Sequence, residues 1–312
     1  MTLGEVRERT GQIDRAIESY ERALTLASDH PDALIGLGRA LITAGRLEEA
    51  ERAHRRAVDL RPNFWRTHNA LGRFLLRVGR TEEALAESRR VVEITPDNAL
   101  GWRNLAASLF SLERFDEALE ACRRAIEIRP GARSLSTLGS ILFYVGRYEE
   151  SAQAFERAIA LQPTDAFMWG NLGSSCQFIP GYEHRMREAL ERAIALARDR
   201  LERNPCDARD RAWMGCWQSN LGLHAEARES IERALQLEPS NPEFMIWACA
   251  IYHQAGEREI SLHWLRQALA HGAGPAQFER DPHLIRLRED QHSQRIIREA
   301  TLRHGRQDPV AP

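Results

Sequence analysis

The sequence contains no lysine: its 43 basic residues are all arginine. That absence removes two kinds of chemistry. A Schiff-base mechanism needs a lysine amine, and the phosphate-binding G-x-x-x-x-G-K-[ST] loop needs its lysine. Codon usage in a GC-rich genome accounts for such a bias, but the bias has a physical consequence. Every basic contact is a planar, permanently charged fork suited to carboxylates and phosphates. Cysteine is sparse as well. Cys122, Cys176, Cys206, Cys216 and Cys249 are odd in number and show no C-x-x-C spacing. They read as reduced thiols of a cytoplasmic protein, with neither a disulfide framework nor a zinc site. No apolar run approaches the ~20 residues of a membrane span, so no membrane partner is expected. The start, MTLGEVRERT, is charged and lacks the apolar core of a signal peptide. Neither sign of charge prevails, since the formal net charge is −2. A nucleic-acid binder would usually be strongly basic, so none is expected as partner.

What is present is a rhythm. Pro62, Pro96, Pro130 and Pro163 recur at gaps of 34, 34 and 33 residues, and Pro239 follows after 76. Upstream of each proline the same landmarks return. In the unit closed by Pro96 these are Leu71-Gly72, Leu75, Gly79 and Ala84; in the next, Trp102, Leu105-Ala106, Leu109, Ala118, Cys122 and Ala125. Within a unit, apolar residues at positions 4, 7, 8 and 11 share one helical face at ~100° per residue. Glycine at position 15 (Gly45, Gly79, Gly146, Gly222, Gly256) ends that helix in left-handed geometry. A second helix carries its own stripe at positions 20, 24 and 27 before the proline stops it.

These landmarks resemble the tetratricopeptide repeat, W-x2-L-G-x2-Y, then A-x3-F, then P. The resemblance implies an all-α fold, a right-handed α-solenoid of helix-turn-helix hairpins spanning 1–275. The units are a partial first repeat at 1–30, then 31–64, 65–98, 99–131, 132–165, 166–207, 208–241 and 242–275. Capping helices are expected at 276–304 and a disordered tail at 305–312. The chain enters the pattern midway through a first helix, at Leu3-Gly4. Either translation starts there or this is a piece of a longer polypeptide. The second half also resembles the repeat tail that follows bacterial serine/threonine kinase or nucleotide-cyclase domains, which implies a regulatory role. The repeat portion of a glycosyltransferase is a further alternative.

No convergent catalytic site, cofactor or metal cluster is expected. The eleven histidines are scattered and no H-E-x-x-H occurs. LGSSC at 172–176 contains Ser and Cys, but Gly173 and Cys176 fall on core positions of the repeat. Acidic pairs such as Glu82-Glu83 open second helices, where carboxylates favour the positive end of the helix dipole. Function is therefore sought at positions that packing does not need.

In a solenoid of this family, positions 2, 5, 9, 12 and 13 line the inner groove. There the first half offers six arginines, Arg39, Arg66, Arg73, Arg77, Arg103 and Arg133, against Asp32. Asn69, Asn104, Ser136 and Ser140 lie among them, with Phe110 and Tyr144 as apolar anchors. The expected partner is a protein or peptide, with an acidic segment or a C-terminal carboxylate held by charge-assisted forks. The pattern is similar to the carboxylate clamp of chaperone-binding repeat domains at Asn104 and Arg133, and departs from it at Asn69, Arg73 and Thr137. The competing reading is solvation, because arginine is the only cation this surface can carry.

The eight-residue excess between Pro163 and Pro239 falls on either side of one second helix. One extra residue lies at Pro180-Gly181 and seven follow the normal end of the second helix, about two helical turns. The stripe Met186, Leu190, Ala193, Ala197, Leu201 keeps its face. Leu201 either packs under Cys206 and Trp213 or supports self-association with a second subunit.

Overall fold

The computed structural model describes residues 2–274 and 289–304, together with Phe278, Leu284 and Leu287. The expected tail at 305–312 lies outside the described residues. Among those residues there are seventeen helices and no strand. The chain is an all-α solenoid of helical hairpins. In order these pair α1 (Leu3–Arg9) with α2 (Ile13–Leu26), α3 (Pro31–Thr43) with α4 (Leu47–Leu60), and α5 (Trp65–Arg77) with α6 (Thr81–Ile94). There follow α7 (Ala99–Ser111) with α8 (Phe115–Ile128), α9 (Ala132–Tyr144) with α10 (Tyr148–Leu161), and α11 (Ala166–Cys176) with α12 (Glu183–Arg203). The last pairs are α13 (Ala208–Asn220) with α14 (His224–Leu237) and α15 (Pro242–Gln254) with α16 (Arg258–Ala270), before α17 (Gln291–His304). None of the described helices is long and apolar enough to cross a membrane. Two compact units divide the chain, Met1–Thr137 and Leu138 onward, with the boundary inside α9.

Each hairpin is written by a few local signals. The residue after the Pro-turn caps the first helix. Asn98 accepts hydrogen bonds from the Leu100 and Gly101 amides, and Asp165, Asp207 and Asn241 cap α11, α13 and α15 likewise. At the other end the glycine turns left-handed, with φ of 77° at Gly45 and 78° at Gly79. The amide after it then bonds back to the helix, as from Arg80 to the Leu75 carbonyl at 2.9 Å. Four second helices, α4, α6, α8 and α10, open on an Arg-x-x-Glu pair. Arg46 holds Glu49 with two bonds of 2.7 Å, and Arg80–Glu83, Arg114–Glu117 and Arg147–Glu150 repeat the fork. The acidic pairs therefore serve helix starts through these arginines as well as through the dipole.

The stripes predicted at helical spacing form the core. In the first unit Ala16, Ile17, Leu41, Leu71, Phe74, Leu75 and Ala84 make one buried cluster. Each buried Leu or Phe contributes roughly 1.5–3 kcal/mol. In the second unit α12 runs for 21 residues where the other long second helices have 14, so the excess counted from the prolines is two turns of helix. Leu201 at its end is 8% exposed and clusters with Met214 and Trp217, with Trp213 alongside. It takes the intramolecular alternative, which removes it as the contact for a second subunit. Phe278, Leu284, Leu287 and Ile297 join the buried cluster of α15 and α16.

Candidate functional site

The candidate face in the first unit is built from α3, α5, α7 and the start of α9. Its charges fall into two classes. Arg39 is neutralised by Glu8, with Nε and Nη2 donating to the carboxylate at 2.5 and 2.7 Å, and Nη2 also lies 3.5 Å from the Tyr20 hydroxyl. Arg66 lies 3.2 Å from Asp32. Both pairs are surface-exposed on the arginine side. Arg73, Arg77, Arg103 and Arg133 form no ion pair with any described residue. Arg103 is half-buried. Burial first, then the charges of Arg133 and Arg73, draw its pKa below the usual guanidinium value. It stays charged, and it lacks a compensating carboxylate.

Beside these arginines, Asn104 Nδ2 donates to Asn69 Oδ1 at 2.6 Å, joining α5 to α7. Phe110 is half-buried, with its ring 5.9 Å from Phe115. Ser136 is 7% exposed, so little of it reaches solvent. In the second unit Ser140 is half-buried and Tyr144 is exposed, its ring edge-on to Phe143.

Between α3, α4, α5 and α7 the arginines border a cavity of about 580 Å³. Arg39, Arg66, Asn69, Arg73 and Arg77 line it with Trp65, Phe74 and Leu100, and no carboxylate does. His54 of α4 also lines it, although it is 2% exposed and its Nδ1 has no hydrogen-bond partner. Burial, with Arg39 and Arg73 nearby, lowers its pKa to about 4, so the imidazole is neutral at physiological pH. Sequence reading passed over His54. The signal was a polar residue at position 24, where Phe155, Ile231 and Leu265 stand in other units. It fits because α3 carries Gly38, where a Cβ would come 2.5 Å from the imidazole Cε1.

The corresponding helices of the second unit differ in chemistry. Arg209 is paired with Glu243 at 3.0 Å. Phe167, Trp213 and Trp247 of α11, α13 and α15 meet ring to ring, with centroids 4.9 and 4.4 Å apart.

Tetratricopeptide-repeat family profiles match residues 1–64, 66–98, 97–164 and 212–241. The chain belongs to the tetratricopeptide-repeat family. No curated protein matches it by sequence. Among solved structures the chain is similar to one in the APC/C hetero-tetramer Cut9–Hcn1, at 15% identity and a TM-score of 0.60. That match covers 92% of this chain and 52% of the other, so the chain spans about half its length. MamA is also similar: one crystal structure at 22% identity covers 52% of this chain and 96% of that one, with a TM-score of 0.44. A MamA fragment from Desulfovibrio magneticus RS-1 matches at 21% identity, 52% and 92% coverage and a TM-score of 0.45. The likeness to the Cut9–Hcn1 structure speaks to the fold alone.

Proposed function

We propose that the chain is a non-catalytic interaction scaffold that binds an acidic, extended segment or C-terminal carboxylate of a partner protein on the first-unit face. The observation that carries this reading is the run of Arg73, Arg77, Arg103 and Arg133 without carboxylate partners among the described residues. On the same helices Arg39 and Arg66 are compensated within the chain, and so are the arginines that open α4, α6, α8 and α10. A half-buried cation such as Arg103 gains most from an incoming anion, because charge-assisted forks strengthen where water is scarce. The five free thiols suit a reducing compartment such as the cytoplasm. The regulatory-tail reading rests on the sequence likeness of the second half alone.

Fluorescence anisotropy with glutamate- and aspartate-rich peptides tests the proposal. Binding is expected to weaken with salt and to be lost in the double variant Arg73→Glu, Arg103→Glu. Affinity unchanged in that variant, with its helical circular dichroism intact, overturns the reading.

A further inference from the structure

We infer that the cavity beneath α5 seats a phosphorylated side chain of the bound segment. This deepens the peptide-binding reading above and rests on it, assigning one chemical group to one part of that face. The cavity holds about 580 Å³, room for a phosphorylated side chain and its neighbours. Its ionised lining is all of one sign. Arg39 and Arg66 are turned to Glu8 and Asp32, which lie outside the lining, whereas Arg73 and Arg77 have no carboxylate partner among the described residues.

Two neutral groups complete the donor set. Asn69 already accepts through Oδ1 from Asn104, which leaves its Nδ2 to donate. His54 lines the cavity with an imidazole whose Nδ1 is buried and has no hydrogen-bond partner among the described residues. Its neutral ring supplies a hydrogen bond without adding a further buried charge.

A carboxylate has one charge and two oxygens. A phosphomonoester has three accepting oxygens and a charge of about −1.5 to −2 at pH 7. Two uncompensated forks and two neutral donors match the second set better than the first. The apolar walls, Trp65, Phe74 and Leu100, limit screening of these contacts. A nucleic-acid phosphodiester offers a single charge per phosphate, and a chain of net charge −2 does not favour a polyanion.

The test uses the full chain and three fluorescein-labelled acidic octapeptides that differ at one position, phosphoserine, aspartate or serine. At pH near 7.5 the phosphoserine peptide is expected to bind about ten-fold tighter than the aspartate peptide. That advantage is expected to shrink by pH near 5.5, because the second phosphate ionisation lies near 6. Arg77→Gln, at an exposed position, is expected to weaken the phosphoserine peptide more than the aspartate peptide, so that the advantage is lost. Inorganic phosphate is expected to compete with the phosphoserine peptide selectively. Equal affinity of the phosphoserine and aspartate peptides at both pH values overturns the phosphate assignment while the peptide reading stands. Binding of no peptide overturns both. An oligonucleotide that displaces the phosphoserine peptide at equal total charge also overturns it.

Discussion

Gly170 of α11 stands against the indole of Trp217 on α13: a Cβ built at Gly170 would lie 2.1 Å from the ring atoms Cε2 and Nε1. Trp217 is 2% exposed, so the ring has nowhere to retreat. The first helices of these two hairpins therefore approach as closely as they do because position 170 has no side chain. Gly170→Ala is expected to destabilise the protein by about 1–3 kcal/mol through overpacking. Urea unfolding followed by circular dichroism measures this. Gly131→Ala serves as control, since a Cβ there meets its nearest atom only at 4.0 Å. An unchanged midpoint for Gly170→Ala would show that the helices separate freely.

Glu113 occupies the turn position that glycine holds in six other hairpins, and its φ is 61°. Left-handed geometry at a residue with a Cβ costs about 1–2 kcal/mol. The Arg114 amide still closes the turn to the Leu109 carbonyl at 2.9 Å, so the geometry is imposed by the hairpin and not by the residue. Glu113→Gly is expected to raise stability by about 1 kcal/mol, the relief exceeding the entropy that glycine adds to the unfolded chain. Differential scanning calorimetry reads it as a higher Tm, and a lower Tm would mean that the Glu113 side chain contributes more than the strain removes.

The rhythm of this fold was open to sequence reading because packing sets it at fixed spacings. The proline gaps gave the size of the excess, and the apolar stripe of α12 located its two added turns. Charge on the candidate face was less legible. Counting residues by position put Arg39 among the candidates, but its partner Glu8 lies 31 residues upstream on another hairpin. The same counting could not separate Arg66, paired, from Arg73, unpaired. A second recurring bond also escaped notice. Trp102, Trp169, His68 and Arg211 occupy the fourth position of their units, and each side chain meets the carbonyl of the proline six residues before it. The spacing is constant, but three different chemistries hide it from a pattern of residue types. His54 escaped for the opposite reason, being a singular residue at a position that packing normally claims.

His54 and His68 give stability opposite dependences on pH. The folded pKa of His54 is depressed to about 4 by burial, from 6.5. Between those values the unfolded chain binds more protons, so the contribution of neutral His54 is complete above pH about 6.5 and is lost as pH falls toward 4. The span is worth on the order of 3 kcal/mol. His68 is raised, chiefly by its hydrogen bond to Glu87 at 2.6 Å. Its contribution is complete below pH about 6.5 and fades as pH rises through the folded value. Urea unfolding between pH about 4.5 and 7.5 is expected to show that His54→Leu flattens the acid loss, whereas His68→Leu steepens it. Parallel curves for wild type and His54→Leu would mean that the imidazole charges without opening the fold.

The five thiols are expected to react in an order set by their surroundings. Cys206, in the turn after α12, is exposed; Cys216 is half-covered; Cys122, Cys176 and Cys249 are buried. Burial pushes Cys122 up to about 12 and Cys176 to about 11, so neither supplies thiolate, the reacting species, near neutral pH. An aromatic disulfide reagent added to the native protein is expected to release one fast equivalent, assigned to Cys206 by its loss in Cys206→Ser. The buried thiols are expected to follow only at the rate of local opening, because a covered thiol must reach solvent before it can ionise and attack. Denaturant should make all five react together. If Cys122 reacted as fast as Cys206 in native buffer, the packing of α8 against α9 would be open on the timescale of labelling.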